Sequence, residues 1–201
     1  MLDWALDRPG ANLDETLAAA SDANLSYQDV LLTLIAGVAT DLGELWHNDE
    51  ISFLEVTLGT GRLQQALHHI GRPTVSPSPQ RRRVLVTTVP GEQHTLGAVL
   101  TERLLEAEGI EAILDIRGSR PVDPQAAVGF DLVAISTPCH RNVGILEGMV
   151  SALRDGSRPS RPAIVLGGSC GCADLAERVG ADGFAGSVPE LLTTFDDRTM
   201  A

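Results

Sequence analysis

The chain has 201 residues, 43% of them apolar, enough for one large packed domain or two small ones. Fifteen basic against 27 acidic residues leave a formal net charge of −12, which repels a phosphate backbone and argues against direct nucleic-acid binding. Every basic residue is arginine, so a Schiff-base lysine, a P-loop and the strand-end lysine of response regulators are excluded. No apolar run approaches the roughly 20 residues of a bilayer span and no basic-then-apolar leader opens the chain, so a cytoplasmic protein without a membrane partner is expected. Cys139, Cys170 and Cys172 are too few and too bunched for a disulfide framework, and read as reduced thiols.

Residues 12–22 and 26–47 are predicted helical, because Asn12 with Glu15 and Ser26 with Asp29 form capping pairs before apolar residues at helical spacing. A third helix should run from about Glu50 to Ile70, stopped by Gly71 and Pro73. Gly59 and Gly61 inside it together cost about 2 kcal/mol relative to alanine, so close approach of a helix or of a ligand is expected there. The stretch 71–83, GRPTVSPSPQRRR, has linker composition, with Arg81, Arg82 and Arg83 as its solvated end rather than an anion patch. The expected organisation is a helical bundle over 1–70, a linker over 71–83 and an α/β domain over 84–201.

Past the linker the period changes. VLVTTV (84–89), EAILDI (111–116), DLVAIS (131–136), AIVLGG (163–168) and DGFAG (182–186) are short buried-strand candidates separated by helical stretches. Five such units predict a doubly wound, flavodoxin-like parallel sheet of order 2-1-3-4-5, covered on both faces. Ligands of such sheets sit beyond the carboxyl ends of the strands, near the switch between the first and third.

The loop at that switch reads Gly91-Glu92-Gln93-His94-Thr95-Leu96-Gly97. It lacks the G-x-G-x-x-G phosphate turn of dinucleotide folds, and the third strand ends in Ser136-Thr137 where a response regulator has its aspartate. A histidine there can ligate a metal through one ring nitrogen while Glu92 receives the N–H of the other. His94, Cys139, His140, Cys170 and Cys172 are expected on one rim, so haem or zinc ligation stays open as an alternative, although Cys170-x-Cys172 is short for zinc. His47, His68 and His69 read as surface or cap residues, with a ligand above the metal as the alternative for one of them if the helical half closes over the site.

The motif E-x-H-x-x-G, with small residues ending the third and fourth strands, resembles the cobalamin-binding domain family, whose D-x-H-x-x-G loop carries the lower cobalt ligand. The resemblance implies that His94 ligates cobalt, oriented by Glu92, with Gln93, Thr95 and Leu96 completing the loop. It further implies that Gly97 lets the nucleotide tail pass, that Ser136 hydrogen-bonds the dimethylbenzimidazole with Thr137 and Pro138 beside it, and that Gly167 and Gly168 let backbone approach. Glu92 replaces the family's aspartate, and Pro138 the leucine of its S-x-L segment.

Residues 45–64, LWHNDEISFLEVTLGTGRLQ, resemble the helical cap of the same proteins, in which a tryptophan lies over the corrin. They are most similar to PpaA/AerR-type antirepressors of photosynthetic bacteria and the related haem-or-cobalamin sensor domain of AppA. The resemblance places Trp46 and Val56 on the upper face, with a core tryptophan as the plain alternative for Trp46. Val56-Thr57 stands where adenosylcobalamin light sensors have a Glu-His pair, which implies a water, hydroxide or protein group above cobalt instead of adenosyl. The implied function is a non-enzymatic, light- or cofactor-responsive sensor acting on a DNA-binding transcriptional repressor. The alternative is a corrinoid carrier that shuttles methyl groups between methyltransferases.

Overall fold

A computed structural model of the chain describes residues 1–73, 82–137, 143–156, 161–168 and 173–199. It forms two compact units, Met1–Thr74 and Val75–Ala201.

The first unit is helical: α1 (Leu2–Ala5), α2 (Leu13–Asp22), α3 (Tyr27–Asp29), a π-helical stretch (Val30–Gly37), α4 (Val38–His47) and α5 (Phe53–Ile70). Its starts follow the capping chemistry of the sequence. The Asn12 side chain accepts from the Asp14 and Glu15 N–H groups, and Ser26 with Asp29 closes a full capping box. The third helix begins at Phe53 rather than near Glu50, because Ser52 and Glu55 form a second capping box. Residues 48–51 are used by the end of α4. Asp49 takes φ +59, and the Asp49 and Glu50 N–H groups bond back to the Trp46 and Leu45 carbonyls, a Schellman closure with aspartate in the left-handed position.

Tyr27–His47 reaches 21 residues at a mean hydropathy of 1.2, the length and composition of a span. It nevertheless carries Asp29, Asp41 and Glu44; Leu31, Ile35, Val38 and Leu42 are buried, the π-helical stretch and α4 pack against α5, and α4 also meets α1. The distribution is that of a bundle helix.

Gly59 has a packing reason. A Cβ there would lie 2.9 Å from Leu42 Cδ1 and 3.4 Å from the Ala5 carbonyl oxygen, whereas one on Gly61 would meet nothing within 4 Å. Arg62 adds to the same contact, with Nη1 donating to the Ala5 carbonyl at 3.0 Å and Nη2 2.8 Å from Asp7 Oδ2. Gly59 and Arg62 together dock α1 on α5. Gly59→Val is therefore expected to destabilise the helical unit by about 1–3 kcal/mol through overpacking, while Gly61→Ala is tolerated; thermal denaturation of both variants checks this.

The second unit holds β1 (Arg83–Thr88), α6 (Leu96–Ala107), β2 (Glu111–Asp115), a 3₁₀ turn (Pro124–Ala127), β3 (Leu132–Ser136), α7 (Val143–Gly156), β4 (Ala163–Gly167), α8 (Ala173–Val179), β5 (Gly183–Ala185) and α9 (Val188–Thr199). All pairs are parallel and the order is β2-β1-β3-β4-β5, as the sequence predicts. Leu85, Val133, Ile135, Ile164 and Leu166 face α7 and α8, while Val84, Val86, Leu132, Ala134 and Val165 face α6 and α9. Burial on both faces is why these strands read as continuous apolar runs.

Two expectations need correction. No α-helix follows β2, only the 3₁₀ turn, because Gly118, Pro121, Pro124 and Gly129 break the segment, and Ile113 on β2 is left 41% exposed. Arg83 is not a solvated linker end. Its backbone N–H donates to Asp131, its Nε and Nη1 donate to Glu111 and to the Gly129 carbonyl, and its guanidinium lies 4.5 Å from the Phe130 ring centre. β1 thus starts one residue earlier than predicted, on a charged staple.

Candidate functional site

Where β1 ends the backbone must turn sharply to enter α6. Gly91 supplies the turn at φ +84, and its N–H donates to the Gly118 carbonyl at 2.8 Å, tying this loop to the segment after β2. The Glu92 N–H returns to the Val89 carbonyl at 3.0 Å. Glu92 then turns inward and His94 outward, with side chains 8% and 80% exposed respectively.

One oxygen, Glu92 Oε1, accepts both the His94 backbone N–H at 2.7 Å and His94 Nδ1 at 2.6 Å. Burial works against ionised Glu92, but the bonds from the His94 N–H and ring, with the imidazole charge and the Gln93 N–H, outweigh it and hold its pKa below the usual value. A carboxylate at Nδ1 selects the Nδ1–H tautomer, leaving Nε2 with its lone pair available in an exposed ring. Chemically this is an oriented imidazole ligand at the switch point between β1 and β3.

Beside it the strand ends are small and hydroxylated. Thr88, Ser136 and Gly167 lie in register across β1, β3 and β4, and the Thr137 N–H extends the ladder to the Gly167 carbonyl at 2.7 Å. A Cβ on Gly97, in the first turn of α6, would stand 3.7 Å from Ser136 Oγ, so any larger side chain at 97 would fill the interval between α6 and the end of β3. Gly167 has a further reason to be glycine, since a Cβ there would sit 3.3 Å from the Ala185 carbonyl oxygen, and Gly168 holds φ +121.

Glu92, Gln93, His94, Thr95, Leu96, Gly97, Ser136, Thr137, Gly167 and Gly168 therefore share one rim of the sheet unit. Pro138, Cys139, His140, Cys170 and Cys172 lie outside the described residues. Trp46 and Val56 belong to the helical unit. Trp46, in the last turn of α4, is 49% exposed and meets Phe53 edge-on at 6.5 Å, which overturns the core-tryptophan alternative. Val56 is half-buried in α5, and His69 pairs with Asp14 at 2.9 Å.

Two features of the rim escaped the sequence reading. Thr88 is buried on the same face as Val84 and Val86, and extending their alternation by one step finds it. The second is the segment after β2. There Arg117 Nε donates to both oxygens of Asp115 at 2.8 Å, and the side-chain hydrogen bond and charge of Asp115 raise the Arg117 pKa. The signal available was Gly118, a turn glycine directly after a strand-end Asp-x-Arg.

No protein-family model matches the chain. An uncharacterized 20.5 kDa protein of the bchF-crtJ intergenic region of Rhodobacter capsulatus is 28% identical over 167 residues, 80% of this chain and 86% of that protein. A corrinoid protein of Desulfitobacterium hafniense is 22% identical over 174 residues, covering 83% and 80%. Among solved structures, the monomethylamine corrinoid protein of Methanosarcina barkeri superposes with a TM-score of 0.71 over 89% of this chain and 87% of that one, at 14% identity. The class this defines is one of fold: a helical unit joined to the doubly wound domain on which that corrinoid protein is built.

Proposed function

We propose that this chain is a non-enzymatic cobalamin-binding sensor that holds cobalt from below through His94 and regulates a DNA-binding transcriptional repressor. The observation that carries the cobalamin part is the double hydrogen bond from His94 to Glu92, which orients an exposed imidazole at the switch point. The rest of the rim fits the group. The absence of a side chain on Gly97, whose Cβ would stand 3.7 Å from Ser136 Oγ, keeps bulk off the end of β3 where the nucleotide tail of cobalamin would pass, and haem has no such tail. Corrinoid proteins among the relatives and solved neighbours support the same reading.

When bound, cobalamin supplies a metal whose upper ligand can be exchanged or released by light. The chain's own residues do the rest. Glu92 fixes the tautomer and direction of His94, and carboxylates hydrogen-bonded to a ligating histidine in this way tune metal affinity about 10–100-fold, the loss expected for Glu92→Gln in a cobalamin titration. Trp46, exposed beside Phe53, offers an aromatic plane for the upper face, where it would exclude water.

The regulatory part rests on the Rhodobacter relative from the bchF-crtJ region and on a charge of −12, which disfavours direct DNA contact. A change of group above cobalt shifts the partnership only if the ligand's affinity differs between two arrangements of the protein. The test is a mobility-shift assay with repressor and promoter, comparing apo, dark cobalamin-bound and illuminated protein. Repressor binding should differ between forms while the chain alone leaves DNA unshifted. Equal effects of all three forms, or retardation by the chain alone at physiological salt, would favour the corrinoid-carrier reading, which the Methanosarcina fold likeness also accommodates.

A further inference from the structure

The segment after β2 carries an arginine, Arg117, whose terminal nitrogens make no hydrogen bond among the described residues. Asp115 ends β2, and its carbonyl accepts the buried Thr87 hydroxyl of β1 at 2.8 Å, so its backbone is fixed from the neighbouring strand. Both Asp115 oxygens lie 2.8 Å from Arg117 Nε, which leaves the guanidinium held by one edge. Among the described residues neither terminal nitrogen of Arg117 has a hydrogen-bond partner, and the side chain is 40% exposed. The next residue, Gly118, gives its carbonyl to the Gly91 N–H three residues before His94. Arg117 is therefore anchored to the same loop that presents the imidazole, and on the same rim.

An arginine free in solution loses side-chain entropy when it clasps a ligand. Here the Asp115 clamp has already removed much of that freedom. The remaining donors form a planar pair suited to oxygen acceptors. Corrinoids offer two kinds of acceptor at their edge: the carbonyl oxygens of the ring's amide side chains, and the phosphate oxygens of the nucleotide tail.

On the cobalamin reading, on which this step rests, we propose that Arg117 is a ligand-contacting residue whose terminal nitrogens donate to an oxygen acceptor at the edge of the corrinoid bound over His94. Asp115 is its positioning residue, and the Gly91–Gly118 bond sets its height relative to the imidazole.

The test is equilibrium titration of the full chain and of Arg117→Gln and Asp115→Asn with cobalamin and with cobinamide, which lacks the phosphate and base. Thermal denaturation of the unloaded proteins establishes whether each variant is folded. Arg117→Gln, which keeps most of the side chain's length, should bind cobalamin roughly tenfold more weakly, as for a charge-assisted hydrogen bond at a partly exposed site. Asp115→Asn should lose less. An equal loss with cobinamide assigns the acceptor to the ring amides, and a loss confined to cobalamin assigns it to the phosphate. If the full chain binds cobalamin with the spectral dependence on His94 and Arg117→Gln binds both corrinoids as tightly, Arg117 has no role and the cobalamin reading stands. If the full chain takes up neither corrinoid, the cobalamin reading falls and this inference with it.

Discussion

Replacing His94 with alanine is expected to remove the lower ligand without unfolding the loop that carries it. The imidazole is largely exposed, so little apolar packing is lost. Glu92 keeps the backbone N–H of residue 94, and Gly91 keeps its bond to Gly118. The unloaded variant should therefore denature within about 0.5 kcal/mol of the parent, as a surface substitution does. Cobalamin affinity should fall by more than the roughly 10–100-fold expected of Glu92→Gln, because a ligand is lost rather than its orienting partner. The visible bands of the bound cofactor should shift in the same variant. Absorption titration of parent and variant provides the check, and unchanged bands would remove His94 from the cobalt.

Trp46→Ala separates a cofactor-facing tryptophan from a merely exposed one. In the helical unit Trp46 buries only part of its surface, and its edge contact with Phe53 is worth about 0.5–1.5 kcal/mol beyond area. The cost to the unloaded fold should stay near that range, below the 3–5 kcal/mol typical of a core tryptophan. Covering an aromatic plane with a ligand removes considerably more apolar area from water, so cobalamin binding should weaken by roughly 1–3 kcal/mol. Denaturation and titration of one preparation give both numbers. Equal cobalamin affinity would assign Trp46 to the surface of the bundle alone.

The sheet was legible because both of its faces are buried. Val84 to Val86 and Leu132 to Ile135 read as unbroken apolar runs, and runs of that length between Gly- and Pro-rich segments have few other solutions. The segment after β2 is expected to be helical only by analogy with the other connections, and Gly118, Pro121, Pro124 and Gly129 argue against it. The start of α5 is ambiguous in sequence for a local reason, since Ser52-x-x-Glu55 sits directly behind the Schellman turn at Asp49 and the two signals overlap.

The site divides in the same way. His94 and Glu92 are two residues apart, so their interaction is encoded locally and a motif can expose it. Gly97 beside Ser136, and Gly91 bonded to Gly118, join segments far apart in sequence, and only the strand order brings them together. Gly59 shows the converse, because a glycine that sequence left open to a ligand or a helix is accounted for by Leu42 and Ala5.

The most direct test of the central claim is electron paramagnetic resonance of the cobalt(II) form of the cofactor bound to protein in which only histidine carries nitrogen-15. The unpaired electron couples to the nucleus of the lower axial nitrogen, so the ligand's isotope is written in the splitting. With His94 below cobalt, the three-line pattern of each cobalt line in unlabelled protein becomes two-line on labelling, and the two-line pattern is absent from labelled His94→Ala. A three-line pattern that survives histidine labelling would mean that the cofactor keeps its own dimethylbenzimidazole on cobalt, and would contradict the account.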